Sequence, residues 1–217
     1  MIKITLLTLS ILLFSACSFK SPPNQWQYKS TAAFESYTKN FLSSEDTLAK
    51  NDLKRAIKHA KKSADLKMLG RIYLGECALN ISVGIDDECS SYKDISTLVD
   101  DKSLEAYYTF ITSQESISST DLSEHYKKFA SFVDLKDFDN AQVELLKMQK
   151  PTSKLLAASL IKENLSINTI DAMIKTASFF GYKKSVIFWL NEKRSKTTDA
   201  KTIEKISKKI SVLNSGD

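Results

Sequence analysis

The side chains with the most chemistry to offer in this 217-residue chain are three cysteines and two histidines. Cys17, Cys77 and Cys89 form no C-x-x-C pair, and His59 and His125 lie far apart with no ligand partner at i, i+4 spacing. Neither a thiol-redox motif nor a zinc set can be built from them. His59 sits among Lys54, Arg55, Lys58, Lys61 and Lys62, the pattern of a solvated helix face. His125 opens an aromatic run with Tyr126 and Phe129, where packing is its expected work. Asp86, Asp87 and Glu88 precede a helical stretch, and Asp100 and Asp101 precede the next, so their charges suit helix N-terminal dipoles better than a cation. The chain holds no G-x-S-x-G, no H-E-x-x-H, no phosphate-cradling glycine loop and no calcium loop. The expectation is a protein that is not an enzyme, with no catalytic residue, no metal and no cofactor.

The remaining cysteine, Cys17, closes a distinctive N-terminus. Lys3 is followed by an apolar run from Ile4 to Phe14 and then by Ser15 and Ala16. Such a run is a secretory signal, too short to span a bilayer. The sequence F-S-A-C at 14–17 resembles the lipobox of bacterial lipoproteins, with Phe14 where that family usually carries Leu. The resemblance implies that residues 1–16 are a signal peptide that is cleaved off, and that Cys17 becomes the lipidated first residue. Ser18 stands where an Asp would retain such a protein at the inner membrane, so it implies an outer-membrane lipoprotein facing the periplasm. Residues 17–29, with Pro22 and Pro23 among Ser, Asn and Gln, read as the lipidated Cys and an extended tether. Trp26 either touches the membrane interface or packs on the first helix, and packing is the stronger expectation. Export leaves Cys77 and Cys89 as an even pair in an oxidising compartment, which predicts a disulfide between them. One falls late in a predicted helix and the other at the start of the next, on either side of a turn at Gly84, where a hairpin can bring them face to face.

These residues must be positioned by helices. Five Gly and three Pro are far fewer turn formers than a strand-dense sandwich or barrel uses. Apolar residues at 42% and charged residues at 26% fit a globular domain and exclude both disorder and a polytopic membrane protein. From residue 30 the apolar spacing is helical: Ala33, Phe34, Tyr37, Phe41 and Leu42 share one face, and Leu48, Leu53, Ile57, Ala60 and Ala64 the next. Further segments are predicted at 65–82, 87–99, 101–114, 121–135, 138–149, 152–164, 168–180, 182–194 and 199–213. Asp121 with Glu124 and Asp139 with Gln142 read as capping boxes, Pro151 as a first-turn residue and Gly181 as a C-cap.

The stretch Ala60, Ser63, Ala64, Leu69, Gly70, Tyr73, followed by Val83, Gly84, Asp86, Cys89 and Tyr92, resembles a tetratricopeptide or Sel-one-like repeat. Asp137-Phe138-Asp139-x-Ala141 with Leu145 and Met148 resembles the opening of a tetratricopeptide second helix. Ala177-Ser178-x-x-Gly181-x-x-x-Ser185-x-x-x-Trp189-Leu190 is similar to the junction between Sel-one-like units. No strict period joins the three, so the repeats are degenerate. The resemblance implies an all-α fold, a right-handed α-solenoid of antiparallel helix hairpins over 30–217.

Beyond residue 16 the chain carries 30 Lys and Arg against 26 Asp and Glu, too small an excess for a nucleic-acid footprint. On the last segment Ile203, Ile206, Ile210 and Leu213 form a stripe, with Lys201, Lys205, Lys208 and Lys209 off it. A helix capping the stack, lysines in water, is the first expectation; contact with an anionic surface is the second. Tyr107, Tyr108 and Phe110, and Tyr126, Phe129 and Phe132, cannot all point one way on their helices, so Tyr107, Tyr108 and Tyr126 are the candidate partner-binding residues. The function expected is a scaffold or assembly factor that docks another envelope protein. The alternative is a structural or regulatory lipoprotein that contacts peptidoglycan or activates an envelope enzyme.

Overall fold

A computed structural model describes residues 24–112 and 121–215. The fold is all-α: the described residues form eleven α-helices and two short 3-10 turns, with no strand. In chain order the helices are α1 (Gln25–Leu42), α2 (Asp46–Ala60), α3 (Lys67–Ser82), α4 (Ser90–Lys93), α5 (Lys102–Thr112), α6 (Glu124–Asp134), α7 (Phe138–Lys147), α8 (Pro151–Leu160), α9 (Ile167–Phe179), α10 (Lys183–Lys196) and α11 (Ala200–Asn214). Among the described residues no helix is long and apolar enough to cross a membrane.

Helix α1 starts at Gln25, so the extended tether expected through residue 29 ends earlier. The physical reason is the stripe Trp26, Ser30, Ala33, Tyr37, Phe41: it continues the buried face of the helix one turn upstream, and nothing after Pro23 breaks it. Short connections then fold the helices into antiparallel hairpins. Alanines 49, 56 and 60 are buried on α2 and let α1 approach closely enough for the Ser30 hydroxyl to donate to the Ala56 carbonyl at 2.8 Å. Gly75 on α3 does the same for the Phe34 ring of α1, which a Cβ at that position would strike.

The core has a large cluster running from α3 to α10 and two smaller ones under the α1–α2 hairpin. Helices α3 and α8 pack together and are apolar on more than one face: Leu69, Ile72, Leu74, Cys77 and Leu79 are buried on the first, Leu155 through Ala158 on the second. Helix α10 returns to α1, with Lys184 paired to Asp46 and its ammonium 4.3 Å from the centre of the Phe41 ring. A one-dimensional stack has contacts only between successive units. Here α3 with α8 and α10 with α1 join elements far apart in sequence.

Several local expectations change. The segment 87–99 is only α4 and a 3-10 turn at Ser96–Leu98, because Asp87 folds back to accept from the Cys89 amide at 2.8 Å and from Asn80 at 2.7 Å, and Cys89 takes a left-handed φ of 54°. The predicted boxes at Asp121 and Asp139 are not the caps used. Ser123 precedes α6 without a side-chain cap, whereas Asp137 caps α7 by accepting from the Asn140 amide at 3.2 Å. Ser166 and Asp199 cap α9 and α11 in the same way. Helix α2 ends at Ala60, leaving Ala64 exposed beyond it.

Candidate functional site

Cys77, late in α3, and Cys89, just before α4, meet at disulfide distance with Cα atoms 5.2 Å apart, both nearly fully buried. The Asp87 carboxylate lies within 4.8 Å of both sulfurs. It is already engaged by the Cys89 amide and Asn80, so it organises the turn rather than waiting for a ligand. Glu76 stands beside this turn. Burial and then the Asp87 charge push its carboxyl above the usual range, and the same burial together with Glu76, Asp87 and Asp46 pushes the Tyr37 hydroxyl far up.

The three candidate tyrosines are divided by the structure. Tyr107 and Tyr126 come together, with ring centres 6.0 Å apart and their hydroxyls hydrogen-bonded. Tyr108 instead faces Tyr92 at 5.4 Å. Tyr126 is only 3% exposed, so it belongs to the core with Phe110 and Phe129 and offers no surface to a partner. Its hydroxyl also hydrogen-bonds to Ser153, whose oxygen lies 3.3 Å from His125 Nε2. Burial pushes the Tyr126 hydroxyl up to about 12, and burial with the nearby Lys150 lowers His125. This chain of four polar side chains satisfies buried hydroxyls. Among the described residues neither hollow of the surface named below is lined by any of the four. Cys17 lies outside the described residues.

The surface feature that stands out was not among the expected site residues. Helices α9, α10 and α11 leave between them an open groove of about 710 Å³. Ile174 of α9 with Val186 and Leu190 of α10 make its floor, and Val212 and Leu213 of α11 its apolar wall. Lys201, Lys205, Lys208 and Lys209 line its rim, with Glu204 the sole acid, already paired with Lys208 at 2.6 Å. Ligand sites in proteins span roughly 300–1,000 Å³ and have this apolar-with-few-polar character. The groove exists because α11 packs on α10 alone among its stronger contacts. Of its stripe only Ile206 is fully buried, while Ile203, Ile210 and Leu213 are half covered. The helix is thus an incomplete cap. The stripe and its lysines were visible in the sequence; that α11 would rest on α10 and leave the neighbouring face of α9 uncovered was not.

A second, smaller hollow of about 240 Å³ lies between the start of α8 and the end of α9, where Phe179 is 83% exposed beside Phe180, Lys154 and Lys175. No family model, curated protein or solved structure matches the chain. The functional reading therefore stands on these residues.

Proposed function

We propose that this chain is a lipid-anchored helical binding module of the bacterial cell envelope, acting as a protein-protein interaction scaffold or assembly factor. The observation that carries the binding role is the groove between α9, α10 and α11, an apolar floor left open and rimmed by four lysines. The rim charges are spread over two turns of α11, about 12 Å at 1.5 Å per residue. One carboxylate or phosphate would use one end of such a row; a partner helix with an apolar face and an acidic flank uses all of it. The envelope setting rests on the F-S-A-C run with its apolar leader and on a buried cysteine pair at bonding distance, which suits an oxidising compartment. Cys17 carries the lipid, and the outer membrane facing the periplasm is the proposed location.

The finer architecture belongs to this reading as well. The stretches that carry the repeat resemblance, 60–92 over α3 and α4, 137–148 over α7 and 177–190 over the α9–α10 junction, are taken as degenerate tetratricopeptide-like units of a right-handed α-solenoid that folds back on itself where α3 meets α8 and α10 meets α1. The test is a photo-crosslinking side chain at Val212, 71% exposed at the groove, against one at Leu135, 75% exposed elsewhere. A discrete protein adduct from Val212 alone, through an acidic segment, is expected. Equal labelling from both positions, or none, would count against the groove.

A further inference from the structure

We propose that one end of the α1–α2 hairpin is a membrane-docking face that lies against a bilayer surface rich in anionic headgroups. This rests on the acylation of Cys17 proposed above, since the lipid is what holds that end at the bilayer. The Ser30 to Ala56 hydrogen bond sets the register of the hairpin, so the first turns of α1 lie beside the last turns of α2. Residues 24–30 and 53–63 therefore share one end of the molecule. Neither stretch contains an Asp or Glu, and together they carry Lys29, Lys54, Arg55, Lys58, Lys61 and Lys62, all exposed.

This cluster accounts for the basic balance of the chain. Without its six cations, the 30 Lys and Arg beyond residue 16 become 24, against 26 acids. The cations converge in space as well as in sequence: Lys62, Lys29, Lys58 and Arg55 all bear on His59, whose Nδ1 is buried without a hydrogen-bond partner. Arg55 is partly neutralised by Asp52; the five lysines remain. Tyr28, 68% exposed, and the half-buried Trp26 stand on the same end, the residue types that favour the headgroup layer.

The chain that leads to this end decides which face meets the lipid. Six residues lie between an acylated Cys17 and Asn24, and the seven steps that join the two, at 3.3–3.6 Å each, span about 25 Å at most. Helix α1, 18 residues long, extends about 27 Å from that point. The basic end is thus the one kept nearest the headgroups, and the far end of the hairpin, where Asp46 pairs with Lys184, is the one held away.

The test uses the mature acylated protein, its lipid first verified by intact mass, in nanodiscs of phosphatidylcholine alone or with phosphatidylglycerol. Brominated lipid reports contact through Trp26, because Trp189 is fully buried and gives a constant background. Hydrogen exchange reports cover over 26–29 and 54–62. With phosphatidylglycerol, quenching and slowed exchange are expected at this end, and both should relax in phosphatidylcholine or high salt. A basic residue near an anionic surface is worth about fivefold, so Lys58→Glu with Lys62→Glu should lower the docked-to-free ratio by about 25-fold or more. Lys205→Glu with Lys209→Glu on α11 should leave it unchanged, and melting curves check that both variants fold. Equal quenching in the two lipids, docking that survives the α2 reversal, or loss caused instead by the α11 reversal would each overturn the proposal. A protein without lipid fails at the mass measurement and sinks the anchoring, which is a separate result.

Discussion

Glu76 precedes Cys77 on α3 and shares its surroundings with Asp87 and Tyr37. Its carboxyl is raised, so the folded chain holds the Glu76 proton more tightly than the unfolded one. The stability linked to it is present below the ordinary Glu range and is lost as pH rises through that range to the raised folded value. Glu76→Gln removes the penalty: the melting temperature should rise at neutral pH, and the gain should disappear in acid. A gain that persists unchanged at low pH would mean that the charge is not its cause. The cysteine pair makes a complementary prediction. Closing the loop from Cys77 to Cys89 should contribute about 3 kcal/mol by restricting the unfolded chain, so Cys77→Ser with Cys89→Ser should lower the unfolding free energy extrapolated from a urea titration by that much, with an earlier midpoint. Thiol counting on the denatured, non-reduced protein should find neither cysteine free.

Helix ends explain why the element pattern was largely legible and its boundaries were not. The connections after α1, α3, α6 and α9 close in the same way, with a left-handed residue at Ser44, Gly84, Lys136 and Gly181. After α9 the Gly181 amide donates to Ser178 and the Tyr182 amide to Ala177 at 2.9 Å; after α6 Lys136 and Asp137 repeat the pair on Val133 and Phe132. Glycine announces such a turn, and Gly84 and Gly181 did so. Ser44 and Lys136 carry no signal, because their φ is imposed by the packing of the flanking helices. Lys136→Gly should relieve that strain and stabilise by about 1 kcal/mol, read as a higher melting temperature; a drop would show that Lys136 is held there by contacts of its own. The stripe on α11 shows the same limit. Its period gave a helix with one apolar face, but how far the face is covered depends on where α9 and α10 stand. Ile206→Ala, at a fully buried site, should cost roughly 2–5 kcal/mol, and Leu213→Ala on the open groove less than about 1 kcal/mol. Equal costs in chemical denaturation would mean that α11 closes down fully in solution.

At the scale of the molecule, pairings distant in sequence were the least legible. Nothing in Leu155–Ala158 says that its neighbour is α3, and nothing in Lys184 names Asp46, because an apolar or charged face specifies burial or charge and not an address. The tyrosine cluster was misassigned in part for that reason. Three aromatics on one helix must diverge, but only the arrival of α8 with Ser153 makes Tyr126 a core residue. For the whole molecule we propose an export leader that ends at a lipid-bearing cysteine, a basic hairpin end at the membrane and a binding groove on the last three helices. The membrane-facing hairpin end and the envelope setting depend on the first. Intact-mass analysis of the protein purified from cell membranes tests it most directly. The expected product begins at Cys17, after loss of residues 1–16, and carries a diacylglyceryl group there, and Cys17→Ala should give no membrane-bound product. A mature chain that begins elsewhere, or that begins at Cys17 without lipid, would contradict it.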